Sequence, residues 1–478
     1  MKTRTAASLL SLSLLLSACA VGPDYERPSA PTPASFKETE GWKVSQPQAV
    51  DADPNWWSVF NDPVLDALEK EVTVSSFNIA ASEAAYRAAV AIADQSNAAL
   101  FPVIGVNGDF TRAKSNSIDP RTGNRTSGVS NQISAGASLS WQLDVWGKLR
   151  RSLEAAEASA DASGDQLAAA RLTAQSALAS DYFSLRGADE LKRLLDATVV
   201  AYEKSLQITQ NQYKAGTAAK SDVDQALTQL ESTRSQAIAV GTTRAQLEHA
   251  IAVLLGKAPA DFSLAAAPGL AETPSFPVTV PSALLERRPD IAAAERQMAA
   301  ANANIGVAIA AYFPDLTFSA ATTNSASTFS KLFSAGNNVW SFGPSLADTV
   351  IDWGARGAQV DQNRALYDQQ VATYRQTVLT AFQQVEDDMV NLSNLARQAE
   401  VENRAVVAAT EAERLITNQY RAGTVAYTSV VTAQAAALQA RQSALTIRQN
   451  RLTTAVALLQ AMGGGWKDPK LADASSSR

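Results

Sequence analysis

The chain of 478 residues contains very few side chains suited to catalysis or metal binding. It has a single cysteine, Cys19, and a single histidine, His249. The apolar pattern of residues 245–255 predicts an amphipathic helix around His249, which favours a structural or solvent-facing role for that imidazole. If His249 lies in this helix, far from any candidate nucleophile, no Cys/His metal site, Cys-His dyad or Ser-His-Asp triad can be built. We expect that the protein is not an enzyme and has no metal or cofactor.

The one covalent modification that the sequence predicts is at Cys19. Two cations, Lys2 and Arg4, precede an apolar run at 6–16, which is the order of a signal peptide over 1–18. The run closes with Leu-Ser-Ala-Cys, which resembles the lipobox of bacterial lipoproteins. This resemblance implies a thioether-linked lipid on Cys19 and acylation, typically with palmitate, of its new amino group. By resemblance to lipoprotein sorting, the following Ala20 favours the outer membrane, and several acyl chains make such anchoring stable.

The overall composition excludes several classes of protein. Hydrophobic residues make up 46% of the chain and charged residues 18%, which is typical of a folded protein rather than a disordered one. The net charge of -6 is scattered along the chain, which argues against nucleic acid as a partner. After the signal peptide, no run of about 20 apolar residues predicts a transmembrane helix.

Two parts of the chain repeat one pattern. The heptapeptide NQYKAGT at 211–217 returns as NQYRAGT at 418–424. Other repeated positions are Phe101-Pro102 with Phe313-Pro314, Trp146-Gly147 with Trp353-Gly354, and Gly256 with Gly463. The spacing matches too, since 70 residues separate Trp146 from Gly216 and Trp353 from Gly423. The sequence therefore predicts one structural unit used twice, over 77–257 and 290–463.

Each repeat is predicted to contain a pair of strands. Phe-Pro ends an Ala-rich helix, because proline cannot continue it. Apolar and polar residues then alternate, which is typical of strands with one apolar face. The four predicted strands cover about 102–113, 132–145, 314–328 and 339–350. In an outer membrane lipoprotein such strands are expected to be transmembrane β-hairpins.

Long helices follow the strands. Residues 148–214 and 356–421 contain no proline, so each predicts one helix of roughly 100 Å. The helices resume after Ala-Gly-Thr, and the turns predict a first tip at about 214–224 and a second tip at about 421–432. The remaining residues are predicted to form a lipid-anchored tether (19–45) and an equatorial belt (46–76, 258–289 and 464–478).

Four strands cannot close into a barrel, and open strand edges are not tolerated in lipid. Two copies would give eight strands, whose interior is filled by side chains, whereas three copies give twelve and leave a lumen. We therefore predict a mainly α protein with membrane β-structure. Four long helical segments and four strands per chain assemble in a trimer, as a 12-stranded β-barrel with a periplasmic α-helical barrel.

Several stretches carry a family resemblance. They are 19–28, 56–65, 285–295 and 340–344, together with the two Trp-Gly and the two Ala-Gly-Thr turns. In them the chain resembles the outer membrane factor (TolC-like) family, and within it the OprM/NodT-type outer membrane efflux lipoproteins. The resemblance covers essentially the whole mature chain. It implies a homotrimeric outer membrane channel that extends into the periplasm and passively conducts drugs or other toxic solutes.

In this family the channel joins a periplasmic adaptor and an inner-membrane pump, which implies a role in multidrug resistance. The pump is open among RND, MFS and ABC types, with the lipoprotein branch favouring RND. The transported solute also stays open. Two alternatives stand beside efflux: the duct of a type I-like secretion system, and a structural lipoprotein that spans the periplasm without conducting.

The resemblance also implies roles at the tips. Tyr420 matches a family tyrosine that bonds an aspartate of the other hairpin, matched by Asp222, so these two residues with Arg421 are expected to hold the tip closed. Ser221 and Asp222 also fit the N-cap of the returning helix. The positions of a family ring of aspartates hold Ser429 and Thr432, so an acidic constriction would have to come from Asp222 and Asp224. Adaptor docking is expected at these exposed turn residues: Lys214, Gly216, Thr217, Gly423 and Thr424.

Overall fold

The computed structural model describes residues 20–38, 55–118, 120–267, 269–274 and 287–466. The signal peptide with Cys19, and parts of the predicted tether and belt, lie outside these residues. The described residues form seven α-helices: α1 (Pro63–Ser75), α2 (Phe77–Ala98), α3 (Lys148–Lys214), α4 (Lys220–Leu254), α5 (Pro289–Ala310), α6 (Ala355–Arg421) and α7 (Tyr427–Ala461). They form four strands: β1 (Val103–Ile118), β2 (Arg125–Leu143), β3 (Asp315–Ala326) and β4 (Asn338–Ala347).

The order of elements confirms a mainly helical fold built from a duplicated unit. In each repeat a helix of 22 residues, α2 or α5, precedes a strand pair. A helix of 67 residues and a helix of 35 residues then follow: α3 and α4 in the first repeat, α6 and α7 in the second. The long helices run without a break because proline is missing from them. None of the described helices combines the length and apolar character needed to cross a membrane.

The four strands form one antiparallel sheet in the order β1-β2-β3-β4. The two hairpins have equivalent registers, with Val103 opposite Ser140 and Asp315 opposite Ala347. β2 and β3 join the hairpins to each other. β1 continues to Ile118, further than the sequence pattern predicts, because ladder pairing with β2 persists across polar residues that show no alternation.

One face of this sheet is apolar and uncovered in the single chain. Its large side chains are each more than 60% exposed: Ile104, Val106, Phe110, Trp340, Phe342 and Leu346. An apolar surface of this extent on a folded chain marks a place where lipid or another protein belongs. The sheet also ends in two unpaired edges, β1 and β4.

A second compact unit contains most of α3, α4, α6 and α7. Its helices pack through a cluster of alanines and larger aliphatic side chains that includes Ala188, Leu195, Ala237, Val240 and Leu438. Alanine at these contacts lets helix axes approach closely, which larger side chains would prevent. Between the helices lies an open groove of about 760 Å³, whose lining is half aliphatic and half polar, with Glu402 as its charged residue.

Charged residues attach the segment after α4 to this helical unit. Asp189 is nearly fully buried, and its carboxylate accepts from Arg186 at 3.1 Å and from Arg244 at 2.6 Å. Arg186 also donates to the carbonyl of Ala265, while the backbone amide of Leu264 donates to Glu248. The network pairs each buried charge, so this part of the predicted belt is held against α3 and α4.

The described part of the predicted tether has no regular secondary structure, but it is packed rather than loose. Asp24 pairs with Arg151 at 2.6 Å. Further along, Phe36 is buried against Phe382, with ring centroids 6.4 Å apart. The next backbone amide, of Lys37, donates to Glu386. The segment that follows the expected lipid anchor is thus held by specific contacts.

Candidate functional site: the two hairpin tips

The first tip closes α3 with a glycine in the left-handed region. Gly216 has a φ of 75°, which costs glycine little. Its amide donates to the carbonyl of Tyr213, and the amide of Thr217 donates to the carbonyl of Gln212, both at 2.9 Å. These two bonds define a Schellman motif. The Thr217 hydroxyl donates to the same Gln212 carbonyl at 3.0 Å, so this carbonyl at the exposed end of α3 accepts two hydrogen bonds.

The second tip repeats this geometry. Gly423 also has a φ of 75°, and its amide donates to the carbonyl of Tyr420. The amide and hydroxyl of Thr424 both donate to the carbonyl of Gln419, at 3.0 and 2.9 Å. The repeated Ala-Gly-Thr therefore has a local reason, because glycine supplies the φ and threonine supplies a second donor to the last turn.

The returning helix α4 begins differently from the sequence prediction. Its N-cap is Ala219, so the prediction of Ser221 or Asp222 as N-cap was wrong. The Schellman turn is short, and the chain re-enters the helix at Lys220. Asp222 then stands in the first turn, where its carboxylate accepts a hydrogen bond from the Ala219 amide at 3.4 Å. The positive end of the helix dipole stabilises its negative charge. Asp224 pairs with Lys220 on the exposed side.

The tips differ most in their aromatic packing. Tyr420 and Tyr427 are buried and pack edge to face, with ring centroids 5.1 Å apart. Ala226 and Val430 complete their cluster, which joins α4, α6 and α7. The Tyr427 hydroxyl lies 3.2 Å from the hydroxyl of Ser205 on α3. The four long helices are therefore in register at the tips through one small core.

Asp222 and Tyr420, which the family resemblance pairs, lie close enough to interact electrostatically. Burial raises the pKa of Tyr420 and of Tyr427, and the negative charge of Asp222 raises both further. The buried hydroxyl of Tyr420 lies beside Thr209 without a hydrogen bond of normal geometry to any described residue. The direct bond from Tyr420 to an aspartate stays a prediction for the assembled protein.

The residues expected to dock a partner are all at the surface. The first group, Lys214, Gly216 and Thr217, is exposed at the first tip. Arg421, Gly423 and Thr424 are exposed at the second. An added Cβ on either glycine would meet no other atom within 4 Å. Each tip thus presents a cation and an open turn to its surroundings.

Tyr427 was missed as a site residue by sequence reasoning. Alignment of the two repeats on their tip glycines places Lys220 opposite Tyr427, and this replacement of a cation by an aromatic residue was a usable signal. Asp222 and Asp224 stand opposite Ser429 and Val431 in the same way. Within the described ranges no group of three or more His, Cys, Asp or Glu side chains could hold a metal ion.

The sequence profile of one protein family matches most of the chain. The family is described as outer membrane efflux protein, and the matched residues are 68–257 and 280–464. The two matched ranges follow the two structural repeats.

Named relatives and solved structures agree with this match. The toluene efflux pump outer membrane protein TtgC of Pseudomonas putida is 30% identical over 474 residues, which covers 97% of this chain and 96% of the relative. The probable outer membrane lipoprotein SilC of Salmonella typhimurium is 29% identical over 464 residues, or 96% and 98% of the two chains. The structure of the outer-membrane channel OprN covers 94% of this chain and 100% of its own, with a TM-score of 0.86 and 28% identity.

Proposed function

Because the chain belongs to the outer membrane efflux protein family, we propose that it forms the outer membrane channel of a tripartite efflux pump. It conducts passively and catalyses no reaction. Solutes reach it from an inner-membrane pump through a periplasmic adaptor, and leave the cell through its lumen.

The observation that carries this proposal is the uncovered apolar face of the sheet together with its two open edges. Lipid suits that face, since the exposed side chains are aromatic or aliphatic. The open edges of β1 and β4 must be paired with other copies, because unpaired backbone groups are costly in lipid. Three copies supply twelve strands, the number that leaves a water-filled interior.

The anchor and the helices support the same arrangement. Cys19 is proposed to carry the lipid, and the packed segment beginning at Ala20 then fixes the chain relative to the membrane surface. Val21 donates its amide to the carbonyl of Trp146 at 3.1 Å, at the junction between β2 and α3. The anchor therefore enters the fold at the place where strands give way to long helices.

The tips are proposed to carry the gate and the docking surface. Asp222, Asp224, Tyr420 and Arg421 control closure, and Lys214, Gly216, Thr217, Gly423 and Thr424 meet the adaptor. The open Schellman turns support docking, because a partner can approach the backbone at each glycine without displacing other atoms. The buried tyrosine pair supports gating, because opening the tip requires the four helices to move about this cluster.

The names of relatives bear on the class of solute. TtgC is named for a toluene efflux pump, and a further P. putida relative, ArpC, for an antibiotic efflux pump. We propose that this chain likewise serves small apolar or amphipathic toxic solutes, with the choice among them made by the pump. The pump class proposed is RND.

Deletion of the gene from its own bacterium tests the proposal. Cells without the protein should accumulate several-fold more of a fluorescent dye such as ethidium, and the wild-type gene on a plasmid should restore low accumulation. If dye accumulation is unchanged while a secreted protein is retained in the cell, the protein is instead the duct of a type I-like secretion system. If neither changes but the envelope spacing is altered, the protein is a structural lipoprotein instead.

A further inference from the structure

The tryptophan of the first Trp-Gly pair makes a docking contact that the tryptophan of the second pair does not make. In the first repeat Trp146 stacks on Phe313 with ring centroids 4.9 Å apart and an interplanar angle of 23°. Its indole N–H donates to the carbonyl of Pro314 at 2.9 Å. Trp146 at the end of β2 is therefore docked on the Phe-Pro turn at the start of β3, the next strand in the sheet.

The equivalent tryptophan of the second repeat has no such contact within the described part of the chain. Trp353 is 96% exposed, and the first-repeat Phe101, to which Phe313 corresponds, is 62% exposed. Trp353 also has a φ of 56°, which is uncommon for a bulky residue. Trp353 lies after β4 and Phe101 lies before β1, and both rings are uncovered.

The strand registers show how far the equivalence extends. β2 continues three residues past Ser140 to Leu143, because β3 pairs with it there and places Leu316 opposite Leu143. β4 ends at Ala347, opposite the first residue of its partner β3, Asp315. The three residues after it, 348–350, correspond to the extension of β2 and lie outside the ladder. Val350, the counterpart of Leu143, is 86% exposed.

We propose that the Phe101-Pro102 turn of the partner subunit receives Trp353 of a second copy of this chain. The indole stacks on Phe101 of the partner subunit and donates to the carbonyl of Pro102 of the partner subunit. Residues 348–350 extend β4 along the partner's β1, which sets Val350 opposite Ile104 of the partner subunit. This assignment deepens the trimeric channel of the proposed function and rests on it.

The occupant must be another copy for a geometric reason. β1 and β4 are opposite edges of the sheet, so three inter-strand steps of about 4.8 Å, or about 14 Å, separate them within one chain. The surface that fits Trp353 is a Phe-Pro turn followed by an antiparallel strand edge, as the first-repeat contact demonstrates. Phe101-Pro102 with β1 is a free surface of this kind, and its Ile104 is 72% exposed.

Paired cysteines test the register in the full-length protein. Val350→Cys with Ile104→Cys places two thiols directly across the proposed interface, where side chains of opposed residues approach within disulfide reach. Oxidation with copper-phenanthroline should convert the protein to a covalent trimer on denaturing gels, and reduction should reverse it. Each single variant, and Val350→Cys with Gly105→Cys, serve as controls, since residue 105 points to the opposite face of the sheet.

Substitution of Trp353 provides a second test of the interface. Trp353→Ala should lower the dissociation temperature of the SDS-resistant trimer, while Trp353→Phe should recover part of the loss because it keeps a ring but no donor. Trimers that form without the Val350–Ile104 cross-link, and that tolerate Trp353→Ala, would overturn the assignment and leave the channel in place. If no oligomer forms and no dye is exported, the proposed function fails together with it.

Discussion

Tyr420 packs edge to face against Tyr427 in a buried core, whereas Tyr213, which occupies the same position in the first repeat, is 47% exposed. The two tips therefore share a backbone but not an environment. The first carries Asp222 and the Lys220–Asp224 pair, and the second carries the aromatic cluster. The proposed gate uses this divergence after a common turn, because it is built from two unlike hairpins.

If Asp222 and Tyr420 hold the tip closed as proposed, loss of either side chain should loosen it. We expect Asp222→Ala and Tyr420→Phe to raise single-channel conductance and to make cells several-fold more sensitive to vancomycin. The Tyr420 hydroxyl is buried near the charge of Asp222, so its removal deletes the group that a neighbouring hairpin would use. Tyr213→Phe is the matched control, because that ring is exposed. Normal permeability in both gate variants would refute the lock.

Bulky residues at the tip glycines should abolish efflux while trimers stay intact. Gly216→Leu and Gly423→Leu place a side chain in open space at a φ of 75°, at a backbone cost of about 1–2 kcal/mol each. Gly123→Leu is the control, since Gly123 has a φ of 70° and equally open surroundings in the loop between β1 and β2. Dye export measured beside trimer content separates docking from folding. Export retained in the tip variants would remove these turns from the docking surface.

Glu69 should make the protein less stable as the pH rises. Its carboxyl group is fully buried in α1 and hydrogen-bonds no described residue, and burial raises its pKa from 4.5 to about 9. The folded state therefore keeps a proton that the unfolded chain releases above pH 4.5. Between these two pKa values the free energy of unfolding falls with pH, by up to about 1.4 kcal/mol per pH unit.

Thermal unfolding of the detergent-solubilised protein at pH 5 and pH 8 measures this effect. Glu69→Gln should flatten the dependence, because the amide does not titrate. Glu83→Gln, on the exposed side of α2, should leave the slope unchanged. A wild-type slope that persists in Glu69→Gln would show that another group controls it.

The long helices and the four strands were predictable from the sequence because their causes are local, whereas α1 lay in the predicted belt without a helix assigned to it. Residues 148–214 contain no proline, so α3 can run through them without a break. The glycine and threonine at 216–217 then end it. The far end of β1 was not predictable, since residues 114–118 are paired only because β2 continues beside them. The different burial of Tyr213 and Tyr420 depends on which helix each ring faces, and a repeated heptapeptide carries no information about that.

The protein is proposed to form an open-lumen channel through the outer membrane, and electrical recording tests this most directly. Purified protein reconstituted in planar lipid bilayers should give discrete single-channel currents, and Asp222→Ala should raise their conductance without changing the trimer. The complete lack of channel events from protein that is trimeric and inserted in the bilayer would show that the protein is not an open-lumen channel.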